Sequence, residues 1–296
     1  MTVLVVGAGI AGLACARELI DAGIPARVVE AAPVVGGRLA SMRIDGRYAD
    51  IGAAYITADD PAFRGRLDSW RVAGLAEPWT DTLVVFDGTG SHQAAGPMRW
   101  SAPAGLRSLA EDLARELDLT LGTEITSLPG EADVVVLAMP GPQAARLTEM
   151  APAREQRWSP VLAAVLTYPQ RSWADFRGAF VNDHPVLATL CDDGDRRGDR
   201  APVLVAHSTG AFARPRLADP AAAAGDLAAS VGELLRIDEK PQVYVHRWTW
   251  AQPEPVQGLF AQQGNVYLAG DAFGRPRVQT AWRSGRAVAR AIIQRG

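Results

Sequence analysis

The chain of 296 residues contains a single lysine, Lys240, although Lys and Arg together number 30. Cysteine is nearly as scarce. Cys15 and Cys191 are the only two, too few and too far apart for a disulfide framework or a cysteine-based metal cluster. Cys15 falls inside an apolar helical pattern and reads as a small buried thiol. Long hydrophobic runs are missing as well: the runs at 3–6, 134–139 and 203–206 fall far short of the ~20 residues that span a membrane. No basic region precedes the first of them, so a secretory leader is not expected and a cytoplasmic location is. With a net charge of −3 and Arg mixed among acidic residues, no basic stripe is available for a nucleic-acid backbone. What is present is apolar mass, 48% of the residues, enough for one large core or two interleaved ones.

Residues 2–6 are continuously apolar and β-branched, the pattern of a buried parallel strand. A helical pattern follows from Ile10, with Leu13, Ala16, Leu19 and Ile20 on one face, and stops at Gly23 before Pro25. A second strand over 26–29 ends on Glu30, which completes a βαβ opening. Further on, the sequence predicts a helix over 106–117, a short strand over 124–128 and a buried strand over 133–139. From 161 to about 250 the character changes. Strands over 161–168, 203–207 and 242–250 predict an antiparallel sheet, with an Ala-rich helix over 221–235. The Asp-, Arg- and Gly-dense stretch 191–202 reads as a solvated connection. The end returns to α/β form, with a strand at 266–269 and a helix over 281–293. No repeat or linker divides the chain, so the two domains should be discontinuous. A Rossmann-type domain is expected from 1–58, 103–150 and 259–296, and an α+β substrate domain on an antiparallel sheet from 59–102 and 151–258.

Gly7-Ala8-Gly9-Ile10-Ala11-Gly12 is a G-x-G-x-x-G between a strand and a helix. Gly7 permits the tight turn, Gly9 lets a pyrophosphate approach the backbone, and Gly12 lets the helix pack close to the sheet; the helix N-terminus then presents free N–H groups to the phosphates. Glu30, about 20 residues on, stands where a carboxylate accepts hydrogen bonds from an adenosine ribose. These features point to an ADP-containing cofactor and leave FAD and NAD both open.

Gly36-Gly37-Arg38 lies just beyond Glu30, and the spacing Glu30-x5-Gly36-Gly37-Arg38 resembles the flavoprotein superfamily that includes amine oxidases and carotenoid desaturases. That resemblance implies FAD, with Gly37 passing close to the pyrophosphate and Arg38 bonded to it or lying by the flavin. In such enzymes a strand-end Gly-Asp, here Gly270-Asp271, meets the pyrophosphate and ribityl chain. The following helix aims its N-terminus at the flavin, a position that favours the anionic reduced form. Ile10, Ala11, Ala54, Ile125 and Val278 complete the expected cofactor contacts.

Four segments, Asp50 to Thr57, Ala102 to Leu106, Val203 to Thr209 and the stretch around Trp248, are together similar to renalase, a small flavoprotein family with human and bacterial members. Renalases oxidise isomeric dihydronicotinamide dinucleotides to NAD(P)+ and pass the electrons to O2, forming hydrogen peroxide. The resemblance implies that Tyr55 lies near the flavin and that His207 and Trp248 line the substrate pocket. Without it, His207 reads as a core histidine on a strand, and Trp248 or Trp250 as packing under the sheet, both on one face by alternation. The sequence departs from that pattern in carrying Ala54 in place of Gln and Thr280 in place of Gly. An amine oxidase in the strict sense would bring a lysine to the flavin and often a cysteine linkage. Lys240 sits in a polar turn and no cysteine follows Cys191, so non-covalent FAD is expected. A flavin-binding redox sensor without catalysis is the remaining alternative.

Overall fold

The computed structural model describes residues 1–128, 130 and 132–295. Short apolar inner strands, most of them valine-rich, and short polar edge strands form a six-stranded sheet. Its order is Ala261–Gln263, Val266–Leu268, Val134–Leu137, Val3–Val6, Ala26–Val29, Asp118–Thr120. All neighbours run parallel except the first pair. Both faces are covered at the centre of the sheet, which is why the inner strands are dominated by apolar residues. Val5, Val28 and Val136 point into a core shared with the helices Ile10–Asp21, Pro61–Val72, Arg107–Ala114 and Val278–Ile293. Their neighbours Val6, Val135 and Leu137 point the other way, to Ala144, Met150 and Ala153.

A seven-stranded sheet runs Gln242–Pro253, Trp158–Thr167, Val203–Ser208, Leu187–Asp192, Gly178–Val181, Glu77–Asp87, Gly90–Ser101. Leu162, Leu166, Leu204 and Ala206 pack on one face under Leu227 and Val231 of the helix Ala224–Leu235. On the other face Ala163, Val165, Val203 and Val205 meet Ala49 and Ile51. No helix of the described residues is long and apolar enough to cross a membrane.

Several sequence expectations need correction. The second sheet is mixed, because Gly178–Val181 pairs parallel to Glu77–Asp87. Residues 124–128, and Ile125 with them, are irregular; the strand is Asp118–Thr120, which pairs with Arg27 to Val29. After it the chain turns over the sheet edge, where Thr123 N–H bonds the Glu30 carbonyl. The third helix ends at Ala114 and the last begins at Val278, half a turn or more from where their apolar patterns suggest. The stretch 191–202 is solvated only at its tip, 198–200, and its first half is largely buried. It folds into the helix Asp193–Arg197, and Asp193 is 0% and Arg196 1% exposed. Burial is tolerated because each charge has partners, described below. The hairpin Glu77–Ser101 and the helix Pro61–Val72 lay outside the predicted elements: much of Gly90–Ser101 is exposed, polar or glycine, and its register shifts twice.

Candidate functional site

A cavity of about 1470 Å³ separates the two sheets. It exceeds the ~300–1000 Å³ usual for one small ligand, so a dinucleotide-sized cofactor leaves room for a second molecule. The six-stranded sheet builds one wall from its strand ends. Gly7, Gly9, Ile10 and Ala11 line it from the first turn, Glu30, Gly37 and Arg38 from the second strand and its loop, and Ile125 from the irregular segment. Gly270, Asp271 and Val278 line it near the last helix, and Ala54 and Tyr55 stand where it meets the other sheet. Gly12 alone of the predicted residues is set back from the surface; a Cβ there would run into the Gly7 carbonyl.

Residues on this wall fit a dinucleotide. Gly7 adopts φ +108°, and a Cβ would lie 2.5 Å from the Ala138 carbonyl oxygen, whereas a Cβ at Gly9 would meet nothing within 4 Å. The chain is therefore closed behind the turn and open in front of it. No side chain caps the helix Ile10–Asp21, so its first N–H groups are free for an anion. Ala8 and Ala32 N–H donate to the Glu30 carboxylate at 2.7 and 2.8 Å, fixing it at the cavity edge. Arg38 donates to both oxygens of Asp271, at 2.7 and 2.6 Å, and stacks 4.9 Å from the Trp158 ring. Its orientation is therefore set by a carboxylate and an aromatic face.

The opposite wall comes from the seven-stranded sheet and is made of side chains. Trp248 Nε1 donates to the Ile51 carbonyl at 2.7 Å. His207 lies between Thr189 Oγ1, 3.2 Å from Nδ1, and the same carbonyl, 3.4 Å from Nε2. Burial pushes the His207 pKa down to about 4, so the ring is neutral near pH 7. Trp248, Thr249 and Trp250 all reach the cavity. The register shift between Trp248 and Gln252 breaks the alternation that sequence reading assumed. Tyr55 packs 6.5 Å from Trp79, and burial raises its phenol above the ordinary value against the opposing pull of Arg99. Lys240 is exposed and absent from the cavity lining.

Behind this wall lies a buried ionic cluster. Asp193 bonds Arg196, meets Arg47 at 2.8 Å and Arg197 at 3.1 Å, and Arg197 reaches Asp50 at 3.1 Å. Burial opposes the charge on Asp193, but Arg196, Arg197 and Arg47 hold its carboxyl below the usual range. Arg196 also donates to the Ala54 carbonyl, which ties the cavity-lining segment to the helix Asp193–Arg197. Sequence reading missed Arg196, hidden in a charge-dense stretch, and Arg99, which belongs to no recognisable motif.

The sequence pattern of flavin-containing amine oxidoreductases matches residues 10–73 and 75–293. An L-amino-acid oxidase of Siganus canaliculatus is 47% identical over 64 residues, 21% of this chain and 12% of that one. A putrescine oxidase of Kocuria rosea is 44% identical over 66 residues, 22% and 14% of the two chains. These segments are a small part of either relative. A solved cyclohexylamine oxidase from Brevibacterium oxydans superposes with a TM-score of 0.79, at 14% identity, over 99% of both chains, a likeness of fold. The glycine-lined turn, the anchored carboxylate and the match over nearly the whole chain agree: the chain belongs to the flavin-containing amine oxidoreductase family, whose cofactor is FAD.

Proposed function

We propose that the chain is an oxidase of renalase type, which converts an isomeric dihydronicotinamide dinucleotide to NAD(P)+ with electrons passing to O2. In balance, the dihydropyridine, O2 and one proton give the pyridinium and H2O2. FAD, held without a covalent link, supplies the two-electron acceptor between substrate and O2. One observation carries the reading. Among the described lining residues, the seven-stranded sheet contributes neither a lysine nor a carboxylate; its wall is aliphatic, aromatic and neutral polar with one arginine.

Loss of a hydride from a dihydropyridine needs a stacking platform and a fixed orientation, and no base. Trp248 and Trp250 give the platform. The shared carbonyl of Ile51 fixes both Trp248 and His207, and neutral His207 adds no charge beside a ring that becomes cationic. On the cofactor wall we assign the pyrophosphate to Gly7, Gly9, Gly37 and the N-terminus of the first helix, and the ribose to Glu30. Ile10, Ala11, Ala54, Tyr55, Ile125, Gly270, Asp271 and Val278 complete the cradle, with Arg38 oriented by Asp271. Burial pushes the thiol of Cys191 up to about 11, so it is no thiolate nucleophile for flavin attachment. We assign residues 1–58, 103–150 and 259–296 to the cofactor domain and 59–102 and 151–258 to the substrate domain.

Oxidation of an amine is the second reading, favoured by the family match. Anaerobic flavin bleaching by a panel of dihydronicotinamide isomers and simple amines separates the two. Bleaching by an isomer, with colour and H2O2 returning in air, supports the proposal. Bleaching by amines alone overturns it, and bleaching by neither leaves a redox sensor.

A further inference from the structure

Arg99 is the one charged side chain that the seven-stranded sheet contributes to the cavity among the described lining residues. It is 6% exposed. Its Nη1 donates to the Asp81 carbonyl at 2.9 Å and weakly to that of Pro97 at 3.4 Å, while its buried Nε has no partner. No carboxylate of the described residues forms an ion pair with it. The contrast with Arg196, equally buried but paired with Asp193 and Asp50, is direct. A buried charge without a counter-charge is costly, and this one stands on the wall of a ligand cavity. The rings of Tyr55 and Phe180 flank the guanidinium at 5.3 and 6.0 Å from its central carbon. They exclude water without neutralising it. Gly96 lies alongside, where a Cβ would approach Nη2 to 3.2 Å, so the absence of a side chain there keeps the fork uncrowded.

We infer that Arg99 is the receptor for an anionic phosphate of the substrate, making this end of the cavity a subsite for a phosphorylated ligand. The planar fork of a guanidinium matches the oxygens of a phosphate, and pairing in a water-poor site is stronger than at a surface. The same charge repels a protonated amine. The inference rests on the dinucleotide reading above for the identity of the phosphate, since that substrate carries a pyrophosphate.

The test uses the FAD-loaded protein, as wild type, Arg99→Lys and Arg99→Gln. Anaerobic flavin reduction is compared for a dihydronicotinamide dinucleotide, the corresponding mononucleotide and the phosphate-free riboside. The wild type should favour the phosphorylated compounds in kcat/KM by about 10- to 100-fold, the scale of a charged hydrogen bond. Arg99→Gln should bring that ratio close to one, and Arg99→Lys should keep part of it. A ratio near one in the wild type overturns the inference. So does an equal loss for all three compounds in Arg99→Gln, which would make Arg99 a strap holding Asp81. Should Arg99→Gln fail to fold with FAD, Arg99→Lys decides: a reduced ratio supports the inference and an unchanged one overturns it, since Arg146, Arg275 and Arg277 also line the cavity. Inorganic pyrophosphate titrated against the flavin spectrum separates this inference from the reading it rests on. A saturable shift in the wild type, lost or weakened in Arg99→Gln or Arg99→Lys, supports an anion site even if no dihydropyridine bleaches the flavin. Absence of any shift together with an unaltered substrate ratio overturns it.

Discussion

The two walls of the cavity are built on different principles. The cofactor wall works with backbone: a tight glycine turn, an uncapped helix end and a carboxylate pinned by two N–H groups. The opposite wall works with side chains on a sheet, oriented by one carbonyl at Ile51 and supported from behind by buried ion pairs. A backbone cradle tolerates little variation in residue type, because a single Cβ closes it. A side-chain wall can be rewritten while its strands stay where they are. Under the proposed function the first wall holds the cofactor and the second receives the substrate.

Breaking the support behind the second wall should have the largest effect. Asp193→Ala leaves Arg196, Arg197 and Arg47 without their shared carboxylate and should cost about 3–5 kcal/mol, the scale for orphaning a buried charge. Chemical denaturation of the FAD-loaded protein would measure it. Next in size is an acid effect located at His207. Its folded-state pKa of about 4 lies below the ~6.5 of an unfolded histidine, so only the unfolded chain takes up that proton between these values. Stability from this group is full above about pH 6.5 and is lost progressively as pH falls toward 4, by on the order of 2–3 kcal/mol. Replacing His207 with Gln should flatten that part of the pH–stability curve; an unchanged slope would assign it elsewhere.

Single-function substitutions sharpen the contrast between the walls. Trp248→Ala should slow flavin reduction on the order of 100-fold through lost orientation while FAD content stays normal. Glu30→Ala should do the reverse, weakening FAD by about 1–3 kcal/mol with little change in the reduction rate of the loaded enzyme. Stopped-flow reduction and FAD titration read the two quantities separately. If each variant moved both, the walls would not be independent.

The same division explains what could be read from the sequence. The cofactor wall was legible because its chemistry forces local spacing: Gly7, Gly9, Gly12 and Glu30 lie within 24 residues of one another, and only glycine satisfies φ +108° against the Ala138 carbonyl. The other wall is assembled from strands far apart in the chain. Arg99, Phe180, Thr189 and His207 meet only after the hairpin Glu77–Ser101 pairs with Gly178–Val181, and no local pattern encodes that pairing. Burial of the charged segment Asp192 to Arg197 was illegible for a related reason. The pairs of Asp193 with Arg196 and Arg197 are local, but the further partners Arg47 and Asp50 lie about 145 residues away, and a mixed charge run read without them looks solvated. The register shift after Trp248 likewise depends on the neighbouring strand.

The smallest expected effect is the most discriminating between substrates. From pH 6 to 9 the side chains of the substrate wall should hold their protonation states. Burial keeps His207 near 4 and pushes Cys191 to about 11, and Tyr55 lies above its ordinary ~10. A dihydropyridine gives up its hydride without first losing a proton, so its reduction rate should vary less than about twofold across this range. An amine must first be neutral, and with no base on the wall it must shed its proton in solution. Its rate should then rise about tenfold per pH unit below its own pKa. Stopped-flow bleaching at five or six pH values distinguishes a flat profile from a rising one. A tenfold rise with a dihydronicotinamide substrate would place a titrating group in the reaction that the wall does not display, and would remove the case for base-free hydride transfer.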